Sequence, residues 1–165
     1  MADVNTPNIA LYEASPQIQW PHSSVQGGTV HAIVDTVETS AIMSVNDTVT
    51  LCRLPVDAVL LSFKLAIDDL GTTGDIEVGF YRTIGDGAAV IDADIIANVI
   101  DVNAAVTALT EYRFDTLDIN TAKQPVWDIA GVAARPSYEF LDVKANFTEA
   151  STVTGTISVQ VLYSL

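Results

Sequence analysis

His22, His31 and Cys52 are the side chains of this sequence best suited to proton transfer or nucleophilic attack, and their settings argue against both. No His-x-His or His-x-x-x-His spacing exists, so a zinc ion finds no ligand set. Cys52 is the single cysteine, which rules out an intrachain disulfide and a thiolate cluster. It sits in the run Thr48 to Leu54, which reads as a strand, where a small packing residue is expected. There is no Gly-x-Ser-x-Gly elbow, and Gly85-Asp86-Gly87 lacks the Lys and the following helix pattern of a phosphate loop. Carboxylates remain. Asp92, Asp94 and Asp101 could gather around a hard cation, and Asp68 with Asp69 or Asp75 with Glu77 form further pairs. Calcium needs about six to eight converging oxygens. Asp92 and Asp94 fit better as first-turn residues of a helix, where the macrodipole favours them. A glycosidase pair of carboxylates would want aromatic platforms, and the chain has 2 Trp. The expectation is a protein with no catalytic residue, no cofactor and no metal, and hence no enzyme.

The composition narrows the partners. The chain has 165 residues, enough for one self-sufficient core. Hydrophobic residues make up 49% and charged residues 17%, the opposite of a disordered composition. The 21 Asp and Glu outnumber the 7 Lys and Arg, giving a net charge of −14. Such a surface repels phosphate, so nucleic acid and anionic membrane are poor partners, whereas a basic protein surface is a good one. No apolar run approaches the roughly 18 residues of a membrane helix. Met1 to Pro7 carries neither the basic nor the apolar region of a signal peptide.

Two regions differ in pattern. Residues 1–28 contain Pro7, Pro16, Pro21 and Gly27-Gly28, with isolated apolar groups between them: Ile9, Leu11, Tyr12, Ile18 and Trp20. No period is sustained, so an extended N-terminal arm is expected, and those five residues are the candidate partner-binding anchors. Residues 29–165 read as a β-domain. Strands are expected at Thr29 to Glu38, Thr48 to Leu54 and Ala58 to Asp68. In the last, Val59, Leu61, Phe63, Leu65 and Ile67 fall on one face. Asp75 to Thr83, with Ile76, Val78 and Phe80 inward, reads as its hairpin partner across the turn Leu70 to Gly74. Two short helices are expected. One is capped by Asp92 to Asp94 and carries Ile95, Ile96, Val99 and Ile100. The other has Thr121 and Gln124 at capping-box spacing, Pro125 in the first turn and Gly131 as the C′ residue. A strand is expected between them at Glu111 to Leu117. Ser137 to Phe147 and Thr156 to Ser164 close the domain, with Leu141, Val143, Ala145, Phe147, Ile157, Val159, Val161 and Tyr163 inward. The fold class is therefore all-β: an antiparallel sandwich or jelly-roll-like domain with two short helices and an extended arm.

Several segments together resemble the small head proteins of tailed bacteriophages, of the capsid decoration (cement) type. They are Arg53-Leu54-Pro55, Val78-Gly79-Phe80-Tyr81, Asp92-Ala93-Asp94 followed by Val102-Asn103-Ala104-Ala105, Trp127-Asp128 leading to Gly131, and the closing Gly155-Thr156-Ile157. The resemblance spans residues 45–165. It implies a non-enzymatic virion protein, made in the host cytoplasm, that binds the outside of the shell and reinforces it. The implied partners are the major capsid protein and further copies of the chain, as a homotrimer. Two other readings stay open. One is a carbohydrate-binding or adhesin-like module, for which Tyr81, Tyr112 and Tyr138 could serve. The other is a head-fibre or tail component.

Overall fold

The computed structural model describes residues 29–39, 42–113, 116–118, 121 and 123–165. The expected arm, residues 1–28, lies outside them. Among the described residues eight strands form: β1 (Val30–Glu38), β2 (Thr48–Pro55), β3 (Val59–Ile67), β4 (Asp75–Arg82), β5 (Val90–Asp101), β6 (Val106–Glu111), β7 (Phe140–Phe147) and β8 (Thr156–Ser164). Among the described residues a short α-helix, α1 (Val126–Ile129), stands between β6 and β7.

The strands make two four-stranded antiparallel sheets, ordered β1-β8-β3-β6 and β2-β7-β4-β5. The pairing is nested: β4 with β5, β3 with β6, β2 with β7 and β1 with β8. A long antiparallel ribbon folded over on itself gives this order, which is the jelly roll. Each strand with one buried face shows it as alternation. On β4, Ile76, Val78 and Phe80 are buried, and so are Leu141, Val143, Ala145 and Phe147 on β7. From the opposite sheet, Ile157, Val159 and Val161 of β8 meet them, with Phe63 and Leu65 of β3.

Four expectations are corrected. First, β3 and β4 are not a hairpin: they lie in different sheets, and residues 68–74 arch across the sandwich. Second, the segment from Asp92 to Ile100 is strand β5, not a helix. Val78 and Phe80, two apart on β4, face Ala97 and Asp92, five apart on β5. The extra residues bulge out of the ladder. Third, the alternation on β3 breaks between Leu60 and Ser62. Leu60 is buried, Leu61 is 39% exposed and Val59 is only half-buried. Fourth, the strand expected at Glu111 to Leu117 ends where it was meant to begin, since β6 runs from Val106 to Glu111. There the Glu111 carboxylate accepts from Ser62 Oγ, from Phe63 N at 2.8 Å and from Arg113 N at 3.0 Å, fastening the β3 bulge to the end of β6.

The second expected helix is present as α1, with Pro125 as its N-cap and no side-chain cap bond. Its end is as the spacing implies. Gly131 has φ 73°, Gly131 N–H reaches Asp128 O and Val132 N–H reaches Trp127 O, the paired bonds of a Schellman close. Trp127 packs on the core's margin, and its backbone N–H donates to Val56 O at 3.2 Å, tying α1 to the β2–β3 turn.

Gly79 is where the β5 bulge crosses β4. A Cβ there would meet Asp92 O at 2.0 Å and Ala93 C at 2.4 Å. Gly79→Ala should therefore cost about 1–3 kcal/mol as overpacking. Gly85→Ala, whose Cβ meets nothing closer than 3.8 Å, should stay within about 0.5 kcal/mol. Phe63→Ala, which opens a cavity between the sheets, should cost about 3–5 kcal/mol. Denaturant melts of the three variants check these values.

Candidate docking surface

The sandwich has two ends of different chemistry. At one, the β1–β2, β3–β4, β5–β6 and β7–β8 connections bind one another. Met43 and Ser151 exchange two bonds at 2.9 Å, Thr39 and Gly155 pair, and Leu70 N–H donates to Val102 O and Thr152 N–H to Leu70 O. This end carries Asp47, Asp68, Asp69, Asp75, Asp101 and Glu149, and none of its residues is Lys, Arg or His. The acids have structural work. Asp47 accepts from Ser44 N, Asp69 from Gly71 N, Asp101 from Asn103 N and Asp68 from Thr156 N, at 2.7 to 2.9 Å. Short carboxylates close loops in this way. Ile42, Val45 and Val153 are exposed among them. The other end holds Arg82, Arg113, Lys123 and Arg135, four of the chain's seven cations. There Arg135 grips Asp57 through Nε and Nη2, which holds the Asp57 carboxyl below its usual range.

The outer face of the β2-β7-β4-β5 sheet carries a row of contacts of its own, beside exposed Phe140 and Val90. Asp142, 2% exposed, receives Arg53 Nε at 2.6 Å and Nη2 at 3.2 Å. Lys144 Nζ lies 5.3 Å from the Tyr81 ring centroid, and Asn146 Nδ2 donates to Glu77 at 2.7 Å. The outer face of the other sheet has a recess of about 300 Å³ lined by Ala66, Asp68, Val106, Thr107, Thr156 and Ser158. Its polar lining is the Asp68 carboxylate and the hydroxyls of Thr107, Thr156 and Ser158, with no His, Cys, Lys or Arg among the lining residues.

The four sheet edges are unequal. Edge strands β2, β5 and β6 each carry extra residues that interrupt their ladders. Edge strand β1 pairs with β8 over nine residues without interruption. It contains no Pro, Lys or Arg, and Val30 and Val34 are 56% and 71% exposed. Bulges, prolines and lysines are among the usual guards of an edge; β1 has none of these, and its charged residues are Asp35 and Glu38.

The residues singled out for chemistry are placed as follows. His31 stacks on Tyr163, with centroids 5.1 Å apart and planes at 18°. Cys52 is buried, and desolvation, then Asp142, push its thiol up to about 12, far from nucleophilic. Among the described residues, no three His, Cys, Asp or Glu converge as a metal site. Asp92 and Asp94 sit on β5, not at a helix start. Tyr81 is buried, Tyr112 packs on the core and Tyr138 lies under Arg82, 5.5 Å from its guanidinium carbon, so the three make no exposed platform. The anchors Ile9, Leu11, Tyr12, Ile18 and Trp20, with His22, lie outside the described residues. Sequence reasoning missed the cation-free end and the uninterrupted edge of β1. The first was readable, since every connection involved lacks Lys and Arg.

Partial burial and then the neighbouring Asp94 raise the Asp92 carboxyl. A carboxyl raised in the fold costs stability as pH rises past its unfolded value, and the cost is complete above its folded value. Asp92→Asn should therefore melt higher than the parent at pH 7, by no more than about 1 kcal/mol for so solvated a pair. The gain should vanish near pH 3, where the acid is largely neutral in both states. Melts across that pH range read the sign.

No known family's sequence model matches the chain, and no curated protein matches it. Solved structures do. A chain of the cyanophage Pam1 capsid asymmetric unit is 20% identical with a TM-score of 0.55, covering 100% of this chain and 99% of that one. A chain of the capsid of Ralstonia phage GP4 is 16% identical with a TM-score of 0.57, covering 83% of this chain and 84% of that one. At these identities the likeness is one of fold.

Proposed function

We propose that this chain is a non-enzymatic phage virion protein that binds the outside of a capsid shell and reinforces it, as a homotrimer contacting the major capsid protein. The observation that carries the reading is the size match. The likeness to a phage capsid chain runs over the whole of this chain and 99% of the other, so the two match along their lengths. The resemblance of residues 45–165 to phage decoration proteins points the same way. The architecture suits the task. A jelly roll fastened at both ends gives a stiff block, and the cation-free end offers a match to a basic surface. Many copies on one lattice turn modest contacts into firm attachment. The arm adds a few apolar anchors, Trp20 foremost, since a handful of large side chains usually carries an interface.

Co-sedimentation with empty capsids, beside a polysaccharide control, tests this. The full chain should pellet with capsids and not with polysaccharide, more weakly as salt is raised. Deleting residues 1–28 should weaken capsid binding at least about tenfold and leave the β-domain melting cooperatively. Pelleting with polysaccharide alone would overturn the proposal.

A further inference from the structure

We infer that the free edge of β1 accepts a strand, and that its occupant is the segment 1–28 of a second copy of this chain. The inference rests on the reading that copies associate, and specifies the contact.

The backbone sets the site. Thr39 N–H donates to Gly155 O at 2.9 Å, continuing the β1–β8 register by one pair. Bonded and non-bonded pairs alternate in an antiparallel ladder. His31, Ile33, Asp35 and Val37 therefore bond to β8 as Thr39 does, while Ala32, Val34 and Thr36 turn their N–H and C=O to the free side. The Thr36 N–H is taken by Asp35 Oδ1 at 2.8 Å, as expected of a group outside the ladder. Beside this edge, Ile33 and Val37 are half-buried against the core. An added strand would complete their cover and satisfy the free backbone at once.

The segment fits as occupant on three counts. It leads into β1 through Thr29 alone, and 28 residues reach up to about 90 Å when extended, against about 30 Å for a nine-residue strand, so it can leave its own domain and still run along a neighbour's β1. Ile9 and Leu11, and again Ile18 and Trp20, stand two apart, the spacing that puts side chains on one face of a strand. Residues 14–28 contain no Asp, Glu, Lys or Arg, so they approach an acidic domain without repulsion. Pro16 and Pro21 are tolerated because the incoming strand becomes the new edge. Passed from copy to copy, such a contact closes into a ring.

Sedimentation velocity of the full chain, without capsids, tests the inference. The chain should self-associate. Val34→Pro removes a free-side N–H and leaves the β8 ladder intact, so it should abolish association. Val34→Lys, which keeps the N–H and guards the edge, and Trp20→Ser should each weaken association about tenfold or more. Each variant should melt as the parent does. Mixing the Val34→Pro chain, with an intact segment, and the Trp20→Ser chain, with an intact edge, should restore a complex containing one of each. A monomer at every concentration would overturn the inference, as would undiminished association of the Val34→Lys chain or a mixture that fails to associate. A monomer would leave the capsid reading standing, because co-sedimentation measures that separately.

Discussion

The burial of Phe63, Phe80 and Phe147 between two sheets is the constraint on which the rest of the molecule depends. Phe63 comes from one sheet, Phe80 and Phe147 from the other, and all three are fully buried. Large rings at the centre hold the sheets face to face, and the alternation of each strand then decides what is left for the surface. On β7 the inner positions are apolar throughout, while Asp142, Lys144 and Asn146 form the outer row. That row is satisfied by Arg53, Tyr81 and Glu77. Beside that row, Phe140 and Val90 stay exposed on the same face. Among the described residues, the acidic end and the edge of β1 add charge and unpaired backbone to what the surface offers.

Those two surfaces have different physical characters. The acidic end acts at a distance, through a charge that salt can screen. Four of its six carboxylates, those of Asp47, Asp68, Asp69 and Asp101, are already committed to backbone N–H groups, so much of the charge comes with a rigid frame. The β1 edge acts only on contact, through backbone groups and the half-covered Ile33 and Val37. A long-range term for encounter and a short-range term for commitment are complementary parts of a docking protein.

Much of the fold is legible in the residues, for a definite reason. β4, β7 and β8 keep an apolar inner residue at every second position, so their period of two survives in the sequence. β5 reads as a helix because its bulges insert residues. Ile95, Ile96, Val99 and Ile100 then fall at spacings that imitate a helical face. Gly79, a glycine inside a strand pattern, is the available sign of the crossing. The β3–β4 pairing is misleading because a seven-residue turn region, 68–74, says nothing about which sheet receives the next strand. The uninterrupted edge is illegible for the same reason: whether β1 is central or peripheral depends on partners more than a hundred residues away. The candidate anchors in residues 1–28 are legible only as a composition.

The nested pairing also orders the events of synthesis. The inner hairpin of β4 and β5 closes over a short connection, whereas β8 is the strand that both β1 and β3 require. The β1-β8-β3-β6 sheet therefore cannot assemble until residues 156–164 have left the ribosome. Until then β1 waits with two open sides, and β3 lacks its main partner. Until β8 emerges the domain is half a sandwich, with the inner faces of β4 and β7 uncovered, and the eighth strand is the one that shuts it.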